Sequence, residues 1–219
     1  DIDGAAAAAV SAAYGSAGER CMAVSVLVAV GDVAEPLIAS ITEKVQNLRI
    51  GDGTDAASEM GPLVTREHRD RVEGYVTGAA AEGATVLIDG TQRIAAGERL
   101  DENGFFTGIS LIDHVKPGMK LYEDEIFGPV LSVLGYEGED EAVAIANDSP
   151  YGLQAYVFSS DAQRAGRVAA RLEAGTVLVN RIAPDLLAPF GGVKQSGLGR
   201  EFGVFGLETF LEPKTITTA

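Results

Sequence analysis

The chain has 219 residues, 46% of them hydrophobic and 22% charged, a composition that supports a sizeable buried core and excludes a disordered chain. Seventeen Lys and Arg are scattered among 32 Asp and Glu, for a net charge of -15, which excludes a nucleic-acid binder that must gather cations against phosphates. The single cysteine allows no internal disulfide and suits a reducing, cytoplasmic setting, and no apolar run reaches the length of a membrane span.

The chain opens on Asp1, Ile2 and Asp3, with neither an initiator Met nor a signal-peptide pattern, so a piece of a longer chain is expected. Residues 4–14 are alanine-rich and predict a helix, because alanine loses least on helix formation. Gly15, Ala17 and Gly18 break it just before Cys21. Residues 23–30, rich in valine, read as a strand buried on both faces. Leu37, Ile41, Val45 and Leu48 recur at helical spacing and predict a helix over residues 34–48. Gly51, Asp52 and Gly53 supply a turn. Thr65 is placed to N-cap a helix running to about Glu82, with Gly83 as its stop. Residues 85–89 read as a short strand and the polar residues 90–104 as a loop. Strands follow at 105–112, 131–136, 153–158 and 176–180, with helices at 139–147 and 161–173. This alternation predicts an α/β fold, a mostly parallel sheet flanked by helices.

Three segments could carry chemistry. A lone cysteine is most often an inert buried hydrophobe, but Gly15 and Gly18 permit close backbone approach before Cys21, and Arg20 beside it favours a thiolate. At residues 125–130 a carboxylate, Glu125, is followed by Ile126, Phe127 and a Gly128-Pro129 turn; the acidic run 123–125 is ordinarily a solvated face, yet Glu125 could accept hydrogen bonds from ribose hydroxyls. Residues 189–201 form a glycine-rich loop that fits neither the Walker spacing nor the dinucleotide-binding fingerprint, a weak signal by itself. His68 reads as a residue of a polar helix and His114 as a strand end. No His, Cys or Asp grouping has metal-ligand spacing, and no metal site is expected.

Taken in order, Gly18-Glu19-Arg20-Cys21, then Glu-Ile-Phe-Gly-Pro from Glu125, then Pro-Tyr-Gly-Leu from Pro150, then Pro-Phe-Gly-Gly-x-Lys-x-Ser-Gly-x-Gly-Arg-Glu from Pro189, resemble the aldehyde dehydrogenase superfamily, over essentially the whole chain. The resemblance implies the catalytic-domain fold of that family over residues 1–200. It also implies a C-terminal segment, 201–219, that returns toward the cofactor and oligomerisation region. The N-terminal cofactor-binding domain, the general-base Glu and the oxyanion Asn of the family would precede this chain.

Cys21 would be the nucleophile. Glu125 would bind the nicotinamide ribose of NAD, or alternatively NADP, with Phe127 packing beside the cofactor. Arg20 would meet a substrate carboxylate, and Phe190 would lie near the nicotinamide and the substrate tunnel. Asn180 stands where the family often ends a strand, and a structural role suits it at least as well as a catalytic one. Lys194 to Arg200 would be a structural turn, and residues 213–218 the oligomerisation strand of a homo-oligomer. The implied reaction forms a thiohemiacetal on Cys21, passes hydride to the cofactor and releases the acyl group from a thioester. The Cys21 backbone N–H is a natural donor to the oxyanion, a kind of donor whose removal costs ~2.7–4 kcal/mol elsewhere.

The wording of residues 15–23, 60–65 and 104–106 is closest to methylmalonate-semialdehyde dehydrogenases, which pass the acyl group to CoA. The wording of residues 190–201 is closer to hydrolytic members. A semialdehyde substrate is favoured, with CoA or water as acceptor, and the 219 residues alone are expected to oxidise no aldehyde. The alternative from another class is a truncated, non-catalytic binding or interaction domain that keeps the fold.

Overall fold

The computed structural model describes residues 1–219. The chain divides into two compact units, Asp1–Ala146 and Asn147–Ala219.

In the first unit, helix α1 (Ile2–Tyr14) begins two residues before the alanine run, because Asp1 caps it and its carboxylate accepts the Gly4 N–H at 3.0 Å. Strand β1 (Val26–Val30) is followed by helix α2 (Ala34–Val45), which buries Leu37, Ile41 and Val45 on one stripe. The small side chains of Ala6, Ala9 and Ala13 let α1 pack closely on α2. Helix α3 (Arg66–Ala79) is N-capped by Thr65, whose hydroxyl accepts from the His68 N–H at 3.1 Å, and a short 3-10 turn carries it to Gly83, which is left-handed as a helix stop requires.

Strand β2 (Thr85–Ile88) comes next, then the tiny hairpin of β3 (Ile94–Ala95) and β4 (Glu98–Arg99), then β5 (Ser110–Asp113), the four-residue helix α4 (Lys120–Glu123), β6 (Val130–Tyr136) and α5 (Glu139–Asn147). One sheet runs β1-β6-β5-β2, with β1, β6 and β5 parallel and β2 antiparallel at the edge. Its centre is the core: Leu111, Ile112, Leu131, Val133 and Leu134 are all essentially buried.

Three further differences from the sequence reading have a visible cause. The strand expected from residue 23 begins at Val26, because the Ala23 and Val24 N–H groups bond the Arg20 and Ala12 carbonyls instead. The strand expected over 105–112 is confined to Ser110–Asp113, since Phe105 and Gly108 pair with Leu63 and Gly90 outside the sheet. The expected loop 90–104 contains the β3-β4 hairpin, preceded by Arg93, whose guanidinium donates to Glu73 at 2.8 Å.

The second unit holds β7 (Tyr151–Gly152), β8 (Gln154–Val157), helix α6 (Ala162–Arg171), β9 (Thr176–Val179), β10 (Val193–Lys194) and helix α7 (Gly203–Glu208). Strands β8 and β9 are parallel and joined by α6, which Asp161 caps by accepting the Gln163 and Arg164 N–H groups. With β1, β5 and β6, they make the fold α/β with mostly parallel pairing, as the alternation predicts. Residues 211–219 are exposed and carry no regular secondary structure, so the strand expected at 213–218 is not formed by this chain alone. A strand needs a partner for its N–H and C=O groups.

Candidate active site

Helix α1 stops at Tyr14, a buried side chain whose hydroxyl donates to the Ser110 carbonyl at 3.0 Å. The chain then reverses through three successive left-handed residues, Ser16 (φ 53), Ala17 (φ 55) and Gly18 (φ 71). Two of these are not glycine, and each such residue costs roughly 1–2 kcal/mol, so surrounding contacts must hold the turn. The Glu19 N–H closes it onto the Ser16 carbonyl at 3.0 Å. Cys21 follows, exposed, and its backbone N–H has no protein acceptor. An exposed thiol beside a free N–H is what a covalent attack on a carbonyl requires: the sulfur bonds carbon while the N–H faces the developing oxyanion.

The second segment sits against the first. A Cβ at Gly18 would run into the Gly128 carbonyl, so these backbones touch where only glycine fits. Gly128 is itself confined, with a Cβ there coming 2.7 Å from a Val72 methyl. Phe127 is left-handed at φ 57 and half-buried, and Ile126 is buried beneath it. Glu125, one residue earlier, is exposed, and its carboxylate meets no protein donor. It is thus free to accept from a ligand's hydroxyls.

His68 of α3 joins the two segments. Its Nε2 lies 2.7 Å from the Phe127 carbonyl oxygen and 3.4 Å from Glu19 Oε1. Arg71 donates to its Nδ1 at 3.1 Å. A guanidinium only donates, so Nδ1 is the acceptor and Nε2 carries the hydrogen given to Phe127. Burial raises the Glu19 carboxyl above its ordinary range, opposed by His68 and by the Val64 backbone N–H. No local pattern announces this junction: Thr65 and His68 are legible as a helix start, but the carbonyl that His68 meets is 59 residues downstream.

Arg20, expected from the resemblance to meet a substrate carboxylate, is engaged within the chain. Its guanidinium turns back onto α1 and donates to the Ser11 and Ala12 carbonyls at 3.1 and 3.2 Å, through the space that Gly15 leaves without a side chain. It adds a second donor to each of these carbonyls, which already accept the Gly15 and Val24 N–H groups.

In the second unit, Phe190 is half-buried, paired through its backbone with Glu201 and stacked in a tilted contact on Phe202 at 5.8 Å. Asn180 exchanges hydrogen bonds with the Ser159 backbone at 2.9 and 2.8 Å, which uses both ends of its amide for structure. Lys194 donates to the Asn147 and Ser149 carbonyls and meets Glu173 at 2.7 Å, and Arg200 donates to the Gly192 and Gly199 carbonyls. These bonds tie residues 194–200 to the backbone around Asn147 and Gly192. No group of three His, Cys, Asp or Glu is arranged to hold a metal ion, and no helix is long and apolar enough to cross a membrane.

On an α/β frame, an exposed thiol on a strained turn thus packs against a loop that presents an unpaired carboxylate. The model of the aldehyde dehydrogenase family matches residues 1–216, and the chain belongs to that family. It is 43% identical over 222 residues to a malonate-semialdehyde dehydrogenase of Pseudomonas aeruginosa, covering 99% of this chain and 44% of the relative. It is 38% identical over 217 residues to a betaine aldehyde dehydrogenase of Bacillus subtilis, again covering 99% of this chain and 44% of the relative. Among solved structures it is similar to the betaine aldehyde dehydrogenase of Staphylococcus aureus in complex with NAD+, with a TM-score of 0.86 and 39% identity, covering 96% of this chain and 41% of that one. The chain therefore spans less than half the length of these relatives.

Proposed function

We propose that this chain is the catalytic-cysteine portion of an NAD-dependent aldehyde dehydrogenase, with residues 1–200 supplying the catalytic domain and Cys21 the nucleophile. The observation that carries the reading is the contact of Gly18 with Gly128, which holds the thiol-bearing turn and the Glu125 loop together. The Cys21 thiolate attacks the aldehyde carbon, and its own N–H stabilises the oxyanion of the thiohemiacetal. Glu125 accepts from the nicotinamide ribose and Phe127 packs beside the cofactor, while Phe190 borders the substrate. The cofactor, NAD or alternatively NADP, supplies a hydride acceptor. The acyl group left as a thioester on Cys21 departs to water or to CoA.

A semialdehyde is the favoured substrate, supported by the 43% identity to the malonate-semialdehyde dehydrogenase. Exposed apolar side chains at Phe202, Val204, Phe205, Leu207 and Phe210 support a homo-oligomer, which sedimentation of the full-length protein tests. Because its relatives are more than twice as long, residues 1–219 alone are proposed to turn over no aldehyde; NADH formation by the isolated chain contradicts that.

The test of the main reading is NADH formation by the full-length protein on malonate semialdehyde, with and without CoA, beside Cys21→Ala. Activity that disappears in Cys21→Ala supports the reading, and its dependence on CoA identifies the acyl acceptor. Activity that survives in Cys21→Ala, or none on any aldehyde, overturns it in favour of a binding domain.

A further inference from the structure

We propose that His68 is a positioning residue that fixes the Cys21 turn relative to the Glu125 loop; this rests on the function proposed above and deepens it. The two segments carry the backbone strain of the site. Ser16 and Ala17 are left-handed before Cys21, and Phe127 is left-handed after Glu125. Strained residues persist only where neighbours over-determine them. The glycine contact between the segments is steric: it stops them approaching further but does not stop them separating. Beyond the turn and the loop the two chains are joined as β1 and β6, beginning with the Ser132 N–H on the Ser25 carbonyl at 2.9 Å; at the turn and the loop themselves the polar link is the His68 imidazole.

The imidazole is well suited to that work. His68 sits in the first turn of α3, fixed by the Thr65 cap, and its side chain is 16% exposed against 13% for Glu19. Its Nε2 hydrogen goes to the Phe127 carbonyl at 2.7 Å, and the Glu19 carboxylate lies 3.4 Å from the same nitrogen. The Phe127 carbonyl is the peptide group joining the strained residue to Gly128, the one Gly18 touches. Glu19 lies two residues before the nucleophile. The titratable and charged groups around the ring are Glu19 and Arg71, and Arg71 also reaches the Ile126 carbonyl at 3.5 Å. The ring therefore bonds one segment, faces the other, and is held in a single tautomer by a cation that cannot exchange roles.

The consequence is kinetic. With the donor gone, the segments can part by a fraction of an ångström at the Phe127 peptide, and the thiol moves relative to the cofactor ribose. Misplacement of about 1 Å costs roughly 100-fold in rate.

The experiment uses the full-length protein and three variants, His68→Ala, His68→Gln and His68→Asn, with kcat and KM for NAD+ referred to the titrated number of Cys21 thiols. A Gln amide nitrogen reaches the place of Nε2 and can donate to Phe127, whereas an Asn amide ends near Nδ1, facing Arg71. The expected result is a loss in kcat/KM of about 10- to 100-fold in His68→Ala, recovery in His68→Gln and none in His68→Asn. A merely structural role changes the melting temperature and the number of titratable thiols, but leaves turnover per thiol unchanged. Wild-type turnover per thiol in His68→Ala, or equal impairment in the Gln and Asn variants, overturns the proposal. If His68→Ala does not fold, the Gln and Asn pair decides. Cys21→Ala run alongside separates the outcomes: retained activity there defeats the catalytic reading itself, whatever His68 does.

Discussion

Replacing Gly18 by alanine isolates the contact on which the site is built. Two terms act. An alanine at φ 71 pays the left-handed penalty of about 1–2 kcal/mol. Its methyl also meets the Gly128 carbonyl, a backbone atom that cannot rotate away, with the Ala13 carbonyl only 3.1 Å off; overpacking of this kind costs about 1–3 kcal/mol. Together they predict a loss of about 2–5 kcal/mol, or roughly 4–20 °C in Tm for a chain of this size. Gly31 is the internal control. Its φ is 68, nearly the same, but a Cβ there would meet nothing within 4 Å. Gly31→Ala therefore carries the left-handed penalty alone, about 1–2 kcal/mol, and the reduced freedom of the unfolded chain is common to both variants. Urea unfolding of the two variants beside wild type measures the difference directly. A gap of about 1–3 kcal/mol, with slowed iodoacetamide labelling of Cys21 only in Gly18→Ala, is expected. Equal midpoints for the two variants would refute the argument that the two loops are in hard contact.

Two further substitutions test the neighbours of the nucleophile. Arg20→Ala removes the donors to the Ser11 and Ala12 carbonyls and is expected to lower stability by about 1–3 kcal/mol, while the KM ratio between a carboxylate-bearing and a neutral aldehyde stays at its wild-type value. A selective rise in KM for the charged aldehyde would restore Arg20 as a substrate clamp. Glu19→Gln tests the buried carboxyl. Its folded-state pKa is raised above the ordinary 4.5, first by burial, so its stabilising contribution is full below pH 4.5 and is lost as pH rises through the folded value. Gln does not titrate, and the variant should gain stability relative to wild type between pH 4 and pH 7; denaturation at both ends reads the sign, and a relative loss toward neutral pH contradicts it.

The large features were legible because periodicity and composition report burial. The stripe of Leu37, Ile41 and Val45 is the buried face of α2, and the apolar run at 131–136 is the buried strand β6. What stayed hidden is set by tertiary contact. The two-residue strands β3, β4, β7 and β10 are too short to show a period. Residues 105–109 are as apolar as a strand but spend their hydrogen bonds on Leu63 and Gly90. Motif order singled out Cys21, Arg20 and Glu125, but it carries no direction: on the reversing turn the Arg20 guanidinium runs back along α1 to the Ser11 and Ala12 carbonyls while Cys21 is exposed. His68 was unreadable for the opposite reason: it looks like any first-turn residue until the fold brings Phe127 to it.

The strain before Cys21 yields one more consequence, in which stability and activity separate. Ser16 is exposed and left-handed at φ 53, and its carbonyl, not its side chain, closes the turn on the Glu19 N–H. Glycine at this position relieves about 1–2 kcal/mol of backbone strain and gives back about 0.5–1 kcal/mol through the greater freedom of the unfolded chain. No buried methyl is lost, unlike at the neighbouring Ala17, which is 2% exposed. The balance is a neutral to slightly stabilising substitution, by up to about 1.5 kcal/mol. The same freedom lets the turn visit conformations that serine forbids, so Cys21 is held less firmly and kcat should fall while the urea midpoint holds or rises, a trade-off typical of strained active sites. A Ser16→Gly protein that is less stable yet fully active would mean that the turn is held by contacts other than those described, and that its strain has no part in presenting the thiol.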